Sequence, residues 1–328
     1  MTEGRALRRD PTTGAWVALS TERVLRPTIP RDVAMLRTPP DACPFCPGHE
    51  AFTPPTLAAW PPTGAWAVRA FANRYPALRV EGALERRGRG PYDDVTGIGA
   101  HEVIVEAPDH DVRLCHQPDP VLAAGLRLAR DRIADLQRDP RHVAITWFRN
   151  HGTAAGASIS HPHAQIVGTP ELSSQLQVIL ERSRAHRART GRDLLADVLD
   201  HERDDGSRIV ADGPIVTLCP WAPLTPFELW LVPTAAEPDF ARVSDERVTQ
   251  LARAMGIALR ALEAELGDVP YTAFLVTAPT GARAEDGFRW HIRVRPRLTT
   301  AAGFELATGG AMHHAFPETT AALLRQHT

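Results

Sequence analysis

The chain states one pattern twice. HEVIVEAP (101–108), a helix-like stretch, HVAITWFRN (142–150) and HAQIVGTP (163–170) are followed later by FELWLVP (227–233), a second helix-like stretch, YTAFLVTAP (271–279) and WHIRVRPRL (290–298). Glu102 and His163 stand 61 positions apart, Glu228 and His291 stand 63 apart, and the order is the same. AWAVRAFA (65–72) and IVTLCPWA (215–222) add one more strand-like run to each half. Alternating or short apolar runs of this kind predict strands, because successive side chains leave a pleated backbone on opposite faces. The two helices read with equal clarity. DPVLAAGLRLARDRIADLQ (119–137) has Asp119 as expected N-cap and Pro120 in the first turn. VSDERVTQLARAMGIALRALEAEL (243–266) has Ser244 as cap and carries Val248, Leu251, Met255, Leu259, Leu262 and Leu266 on one stripe. A sheet with helices packed on it, built twice, predicts an α+β or α/β architecture with units at 1–172 and 173–328.

The copies differ where chemistry would reside. His161 and Gln165 of HPHAQ have Arg289 and Arg293 as counterparts, which places any reactive centre in the first half. The 43% hydrophobic content is enough for a sizeable core, and a net charge of -2 with pI near 6.7 lacks the basic footprint of a nucleic-acid binder. No run of about 18 apolar residues exists to span a membrane, and MTEGRALRRDPTTG has no apolar core for export, so the cytoplasm is the expected location. All 37 basic residues are arginine. Without lysine there is no Walker-type phosphate grip and no Schiff base, and a phosphate has to be held by arginine forks, backbone N–H groups or helix N-termini.

Residues 26–63 are rich in proline and predict irregular chain wrapped over a core, which needs pinning. CPFC (43–46) offers two thiols at one turn, and four cysteines are too few for a disulfide framework at this length. Cys43, Cys46, His110 of EAPDHD and His161 predict a structural Cys2His2 zinc site with all four positions filled by protein. His49, His101, His116 and His151 compete as ligands, and a redox pair or two unrelated buried cysteines are the alternatives.

His163 is the candidate nucleophile. Neutral imidazole is available near pH 7, and the N–P bond it forms remains reactive enough to be broken again. Attack through Nε2 needs the proton on Nδ1, held by a neighbour such as a carbonyl turned inward at Pro162. The preceding NHGTAAGASIS (150–160) is small and glycine-containing, so its N–H groups and Ser158 predict a cradle for phosphate oxygens. Gln165, two residues further along one strand, faces the same side as His163. Two structural histidines on a loop are the alternative.

CPFC, FANRYPAL, GAHEVIVEAPDH, N-x-G-x-x-A-G-A-S-x-S-HPHAQ, DGSR and GFELATG, in this order, resemble the galactose-1-phosphate uridylyltransferase family, a branch of the histidine-triad superfamily. The resemblance implies an α+β fold of two tandem histidine-triad-like repeats, each an antiparallel-rich sheet with packed helices. It implies a homodimer with its active site completed across subunits, and ping-pong transfer of UMP from a UDP-sugar to a hexose 1-phosphate. His163 would carry the nucleotidyl group, Gln165 and Ser158 would contact phosphate, and Cys43, Cys46, His110 and His161 would bind structural zinc. The nucleoside pocket falls on Phe45, Phe71, Asn73 and Asn150, the partner's phosphate-gripping arginines on Arg23 and Arg26, and the sugar contact on Glu305. Thr299 and Ala311 stand where the family has a lysine and a glutamine for the sugar. A second metal site, reduced to Glu181 and His291 with Arg289 intruding, is expected to be empty. GFELATG also resembles relatives that handle adenine nucleotides, among them ADP-glucose phosphorylase. The alternatives are therefore adenylyl transfer through the same intermediate, a non-catalytic zinc protein that binds nucleotides, and a hydrolase, for which Gln165 is unfavourable.

Overall fold

Eight strands expected from alternation all form, and two more join them in one antiparallel sheet of ten. The computed structural model describes residues 4–25, 38–282 and 287–328. In chain order the strands are β1 (Arg5–Arg9), β2 (Trp16–Ser20), β3 (Thr56–Trp60), β4 (Val68–Ala72), β5 (Arg86–Arg89), β6 (Tyr92–Val95), β7 (Ala100–Val105), β8 (Ala144–His151) and β9 (His163–Thr169). The second half supplies β10 (Ile209–Ala211), β11 (Ile215–Leu218), β12 (Leu229–Pro233), β13 (Tyr271–Val276), β14 (His291–Pro296) and β15 (Ala311–His313). The helices are α1 (Asp119–Leu136), α2 (Ser174–Thr190), α3 (Leu194–Asp205), α4 (Asp245–Leu266), α5 (Gly303–Thr308) and α6 (Pro317–Arg325).

The large sheet runs β10-β11-β12-β14-β13-β8-β9-β7-β4-β3. Read outward from its centre, β13, β14, β12, β11, β10 mirror β8, β9, β7, β4, β3, so each half contributes five strands in the same relative order. The halves meet where β8 pairs with β13, Tyr271 opposite His151 and Phe274 opposite Phe148. This is an α+β fold, and the sheet passes through both halves without a break.

The two faces of the sheet have different tasks. Ile104, Ile145, Trp147, Ala164 and Ile166 turn to one side and are buried with the apolar stripes of α1 and α4 in the main core. Burying a leucine such as Leu251, at 0% exposure, contributes about 1.5–3 kcal/mol, and this core gathers such residues from both halves. The opposite face carries His163 and Gln165 in register with Val105 and Val103 of β7, and Phe71 of β4 opposite Val103. Among the described residues no helix is long and apolar enough to cross a membrane.

Some boundaries differ from expectation. Ser244 does cap α4, accepting from Arg247 N–H at 3.1 Å, whereas Asp119 is the first residue of α1 and Pro118 is its cap, without a side-chain bond. The proline-rich stretch is not wholly irregular, because β3 forms within it and pairs with β4. The N-terminal strands do not stay with the first half. β2 pairs with β1 and with β15, and Asp10 in the turn between β1 and β2 reaches Arg293 of β14 at 3.6 Å.

Arg293 is 0% exposed by side chain, and Asp10 also accepts from the Thr12 and Thr13 hydroxyls at 2.7 and 2.8 Å. Replacing Asp10 by alanine leaves a buried cation without its counter-charge. The expected cost is about 3–5 kcal/mol, read as a lower urea midpoint with an unchanged slope.

Candidate active site

Four side chains from three separate segments converge under the start of β9. The ligand atoms of Cys43, Cys46, His110 and His161 lie within 4.8 Å of one another. Nδ1 of His161 is 3.7 Å from Cys43 Sγ and 3.6 Å from Cys46 Sγ, Nδ1 of His110 is 3.3 Å from Cys46 Sγ, and the two Nδ1 atoms are 3.3 Å apart. A tetrahedral ion with N and S ligands has edges of about 3.3 Å between nitrogens and about 3.6 Å between nitrogen and sulfur, so these residues fit such a group. The outer nitrogens are committed elsewhere. His161 Nε2 donates to Ala107 O at 2.8 Å and His110 Nε2 meets Ser160 Oγ at 3.2 Å, which aims both Nδ1 lone pairs inward. Burial holds the His161 imidazole down at about 4, neutral as a ligand must be. Burial and the neighbouring Cys43 push the Cys46 thiol up to about 11, a cost that a bound cation would remove.

The cluster also sets the residues around it. Phe45 inside CPFC gives its N–H to Cys43 Sγ at 3.4 Å and stands edge-on to His163 with centroids 5.2 Å apart. Phe71 lies 5.6 Å from Phe45, and the Arg69 guanidinium sits 4.5 Å from the Phe71 ring. The backbone carbonyl of His161 accepts from His163 Nδ1 at 2.8 Å. That bond places the proton on Nδ1 and leaves the Nε2 lone pair free, and among the described residues no hydrogen bond occupies Nε2. Burial first, then the charge of the nearby Arg149, lowers the His163 imidazole to about 4. Arg149 is fixed from behind by Glu106 at 2.7 Å and by Tyr271 Oη at 2.7 Å.

The loop between β8 and β9 turns at Gly152 and Gly156, with φ of 79° and 92°, backbone that a side chain would strain. Gly156 packs where a Cβ would meet Asn150 Nδ2 at 3.6 Å, so Asn150 lies against the loop. The N–H groups of Ala155, Gly156 and Ala157 bond back to Gly152 and Thr153 carbonyls within the loop. A phosphate here would therefore meet residues 158–160, where Ser158 is exposed and the Ser160 hydroxyl belongs to the metal cluster.

The remaining expected residues are placed unevenly. Gln165 Oε1 lies 2.8 Å from His101 Nε2, and Asn73 Nδ2 lies 3.0 Å from the same nitrogen. Thus His101, read from sequence only as a rival metal ligand, stands between two site residues. Arg23 is in a short 3-10 turn (Thr21–Leu25) near Glu305, whose carboxyl is held low first by the Ala302 N–H and more weakly by Arg23. Glu305 Oε2 accepts from Ala302 N–H at 2.9 Å, capping α5, and Ala311 is buried in β15. Arg26 lies outside the described residues.

The second half retains the scaffold with the chemistry closed off. His291 begins β14 as His163 begins β9, and its Nδ1 meets the Arg289 carbonyl at 3.2 Å, again two residues back. Its Nε2 accepts from Arg293 Nε at 3.0 Å, and Arg289 is bound to Asp193 at 2.6 Å. Glu181 is exposed, and among the described residues no metal-ligating cluster includes Glu181 or His291. A second group, Cys115, His116 and Glu263, does converge. Its carboxylate already accepts from the Cys115 thiol at 2.8 Å, from His116 at 2.7 Å and from Arg113, which accounts for the arrangement by hydrogen bonding.

A cysteine-histidine cluster beside a histidine whose outer nitrogen is free is the arrangement that a nucleotidyltransferase of the histidine-triad kind requires. Residues 2–172 match the galactose-1-phosphate uridyl transferase N-terminal domain, and the chain belongs to that family. It is 29% identical over 328 residues to an ADP-glucose phosphorylase of Arabidopsis thaliana, covering 98% of this chain and 92% of the relative. It is 23% identical over 329 residues to a galactose-1-phosphate uridylyltransferase of Thermotoga maritima, covering 98% of each. The crystal structure of the Arabidopsis thaliana ADP-glucose phosphorylase with bound ADP-glucose superposes with a TM-score of 0.85 at 26% identity, covering 99% of this chain and 100% of that one.

Two outcomes are expected. Cys43→Ala should lower the bound metal measured by elemental analysis by at least about tenfold, with a lower melting temperature. Single-turnover rates should be level from pH 8 to about 5 and fall as the pH approaches the His163 value of about 4, where protonation removes the attacking lone pair.

Proposed function

We propose that this chain transfers an adenylyl group from an ADP-sugar to inorganic phosphate through nucleotidyl-His163. Nε2 attacks the α-phosphorus, the bond from that phosphorus to the bridging oxygen breaks, and sugar 1-phosphate leaves with the electron pair. A phosphate oxygen then attacks the same phosphorus, the N–P bond breaks, ADP departs and the imidazole is restored. The observation that carries the reading is the His163 ring itself, with Nδ1 donated to the His161 carbonyl at 2.8 Å and Nε2 unbonded among the described residues.

Motif resemblance alone puts uridylyl transfer first. The full-length likeness to an ADP-glucose phosphorylase, in sequence and in structure, supports the reverse order. Thr299 and Ala311 in place of sugar-directed side chains, Ala311 being 3% exposed, favour an acceptor without a sugar ring. UMP transfer between a UDP-sugar and a hexose 1-phosphate is the second reading, supported by the family match and the Thermotoga relative. In both, Phe45, Phe71, Asn73 and Asn150 receive the nucleoside, and Ser158 and Gln165 contact the phosphoryl oxygens. Zinc would be held by Cys43, Cys46, His110 and His161, where it ties chain segments together. The proposed assembly is a homodimer in which Arg23 and Arg26 reach the phosphates of the partner's site, and the halves 1–172 and 173–328 are taken as duplicated units.

The deciding experiment incubates the protein with ADP-glucose or UDP-glucose labelled at the α-phosphorus, without acceptor. Acid-labile label retained from ADP-glucose and released by inorganic phosphate is the expected result. Retention from UDP-glucose alone establishes the second reading, and retention from neither refutes both. His163→Gly should reduce the retained label to background while metal content stays at the wild-type level.

A further inference from the structure

His101 touches both ends of the site and has no role in the chemistry described so far. It lies on β7, on the face that carries His163 and Gln165, and Val103 next to it in the alternation pairs directly with Gln165. Its Nε2 is 2.8 Å from Gln165 Oε1 and 3.0 Å from Asn73 Nδ2. Its Nδ1 faces the Ala77 N–H at 3.4 Å. Asn73 is fixed in turn, because its Oδ1 accepts from Tyr75 N–H at 2.8 Å and its own N–H donates to the His101 carbonyl at 2.8 Å. Asn73 therefore presents its NH2 group to the imidazole.

A neutral imidazole has one donor nitrogen and one acceptor nitrogen, so Nε2 cannot serve both amides. With the proton on Nε2, the ring donates to Gln165 Oε1, accepts from Ala77 at Nδ1, and leaves the Gln165 NH2 free to donate to a phosphoryl oxygen. Asn73 NH2 then faces an N–H and needs another acceptor. With the proton on Nδ1, Nε2 accepts from Asn73, and Gln165 can no longer keep its carbonyl against that lone pair. Its amide turns over, and Oε1 is offered to an anionic phosphoryl group that repels it. The tautomer of one ring thus decides which atom of Gln165 faces the phosphorus.

We propose that His101 is a positioning residue that couples nucleoside binding to phosphoryl transfer. A nucleoside oxygen, a ribose hydroxyl or a base carbonyl, accepts from Asn73 NH2, frees Nε2 from that demand and favours the Nε2–H tautomer. Gln165 is thereby set with its donors toward the transferred group. The inference rests on the reading of Asn73 as a nucleoside contact and Gln165 as a phosphoryl contact.

Two measurements test it. In protein labelled with 15N-histidine, saturating AMP should give His101 a pyrrole-type Nε2 and a pyridine-type Nδ1, with less of that tautomer in the free protein. The opposite tautomer in the complex, or the same population with and without AMP, overturns the proposal. In single-turnover transfer from ADP-glucose, His101→Phe and Gln165→Ala should each slow nucleotidyl-enzyme formation by about a hundred- to a thousandfold, the usual loss for one donor to developing transition-state charge. Together they should cost no more than about twofold beyond the larger single loss, because both remove the same contact. Additive losses, or a His101→Phe effect confined to KM, refute the coupling. If wild-type protein takes no label from any nucleotide sugar, the catalytic reading fails on its own, and the 15N measurement, which needs only a bound nucleotide, still decides the role of His101.

Discussion

One imidazole joins the supporting and reacting parts of the molecule. His161 presents Nδ1 to the cysteine cluster, donates Nε2–H to the Ala107 carbonyl and offers its backbone carbonyl to His163. Each bond constrains the next. The cluster holds residue 161, residue 161 holds the proton of residue 163 on its inner nitrogen, and the outer nitrogen is left without a hydrogen-bond partner among the described residues. The same knuckle of chain places Phe45 against that ring. A metal held by these four residues would remove the freedom of three segments that are distant in sequence.

The second half of the sheet shows how such a site is closed. The i−2 carbonyl contact survives at His291, yet Arg293 caps its outer nitrogen and Asp10 neutralises the arginine. A neutral glutamine at the equivalent place, Gln165, keeps the first site open, since an amide can donate to a phosphoryl oxygen without carrying a charge that must be compensated in the interior. Burial lowers the Arg293 guanidinium from its ordinary range, so this closure depends on the Asp10 carboxylate nearby.

Much of this was readable in the chain because it depends on local alternation or on rigid spacing. The eight strands of the repeat, the stripe and cap of α4 and the four cluster residues each follow from periodicity or from a ligand set. Elements without an apolar signature were not. Ser174–Thr190 buries only Ile179, Leu180 and Ser183, so α2 has no stripe to detect, and RALRR gives β1 no clear inner face. β3 was hidden by the prolines on both sides of it. Asp119 fitted a capping rule, but Pro118 with its fixed φ took the cap position. His101 was visible as a histidine on the same side of a strand as Val103 and Val105. Its partners come from one other strand and from the chain that follows β4, and the register of β7 with β9 and with β4 brings them together.

The unbroken sheet limits how this molecule can move. Enzymes made of two lobes commonly shut like a clamshell about a flexible link, but here the lobes share backbone hydrogen bonds along Tyr271–Phe274 and Phe148–His151, so the seam is a strand ladder. Bending there would break the ladder and pull Tyr271 from Arg149 behind the His163 ring. For the proposed nucleotidyl-His163 linkage, exclusion of water would then fall to chain laid over the site or to a neighbouring subunit rather than to closure of the two lobes.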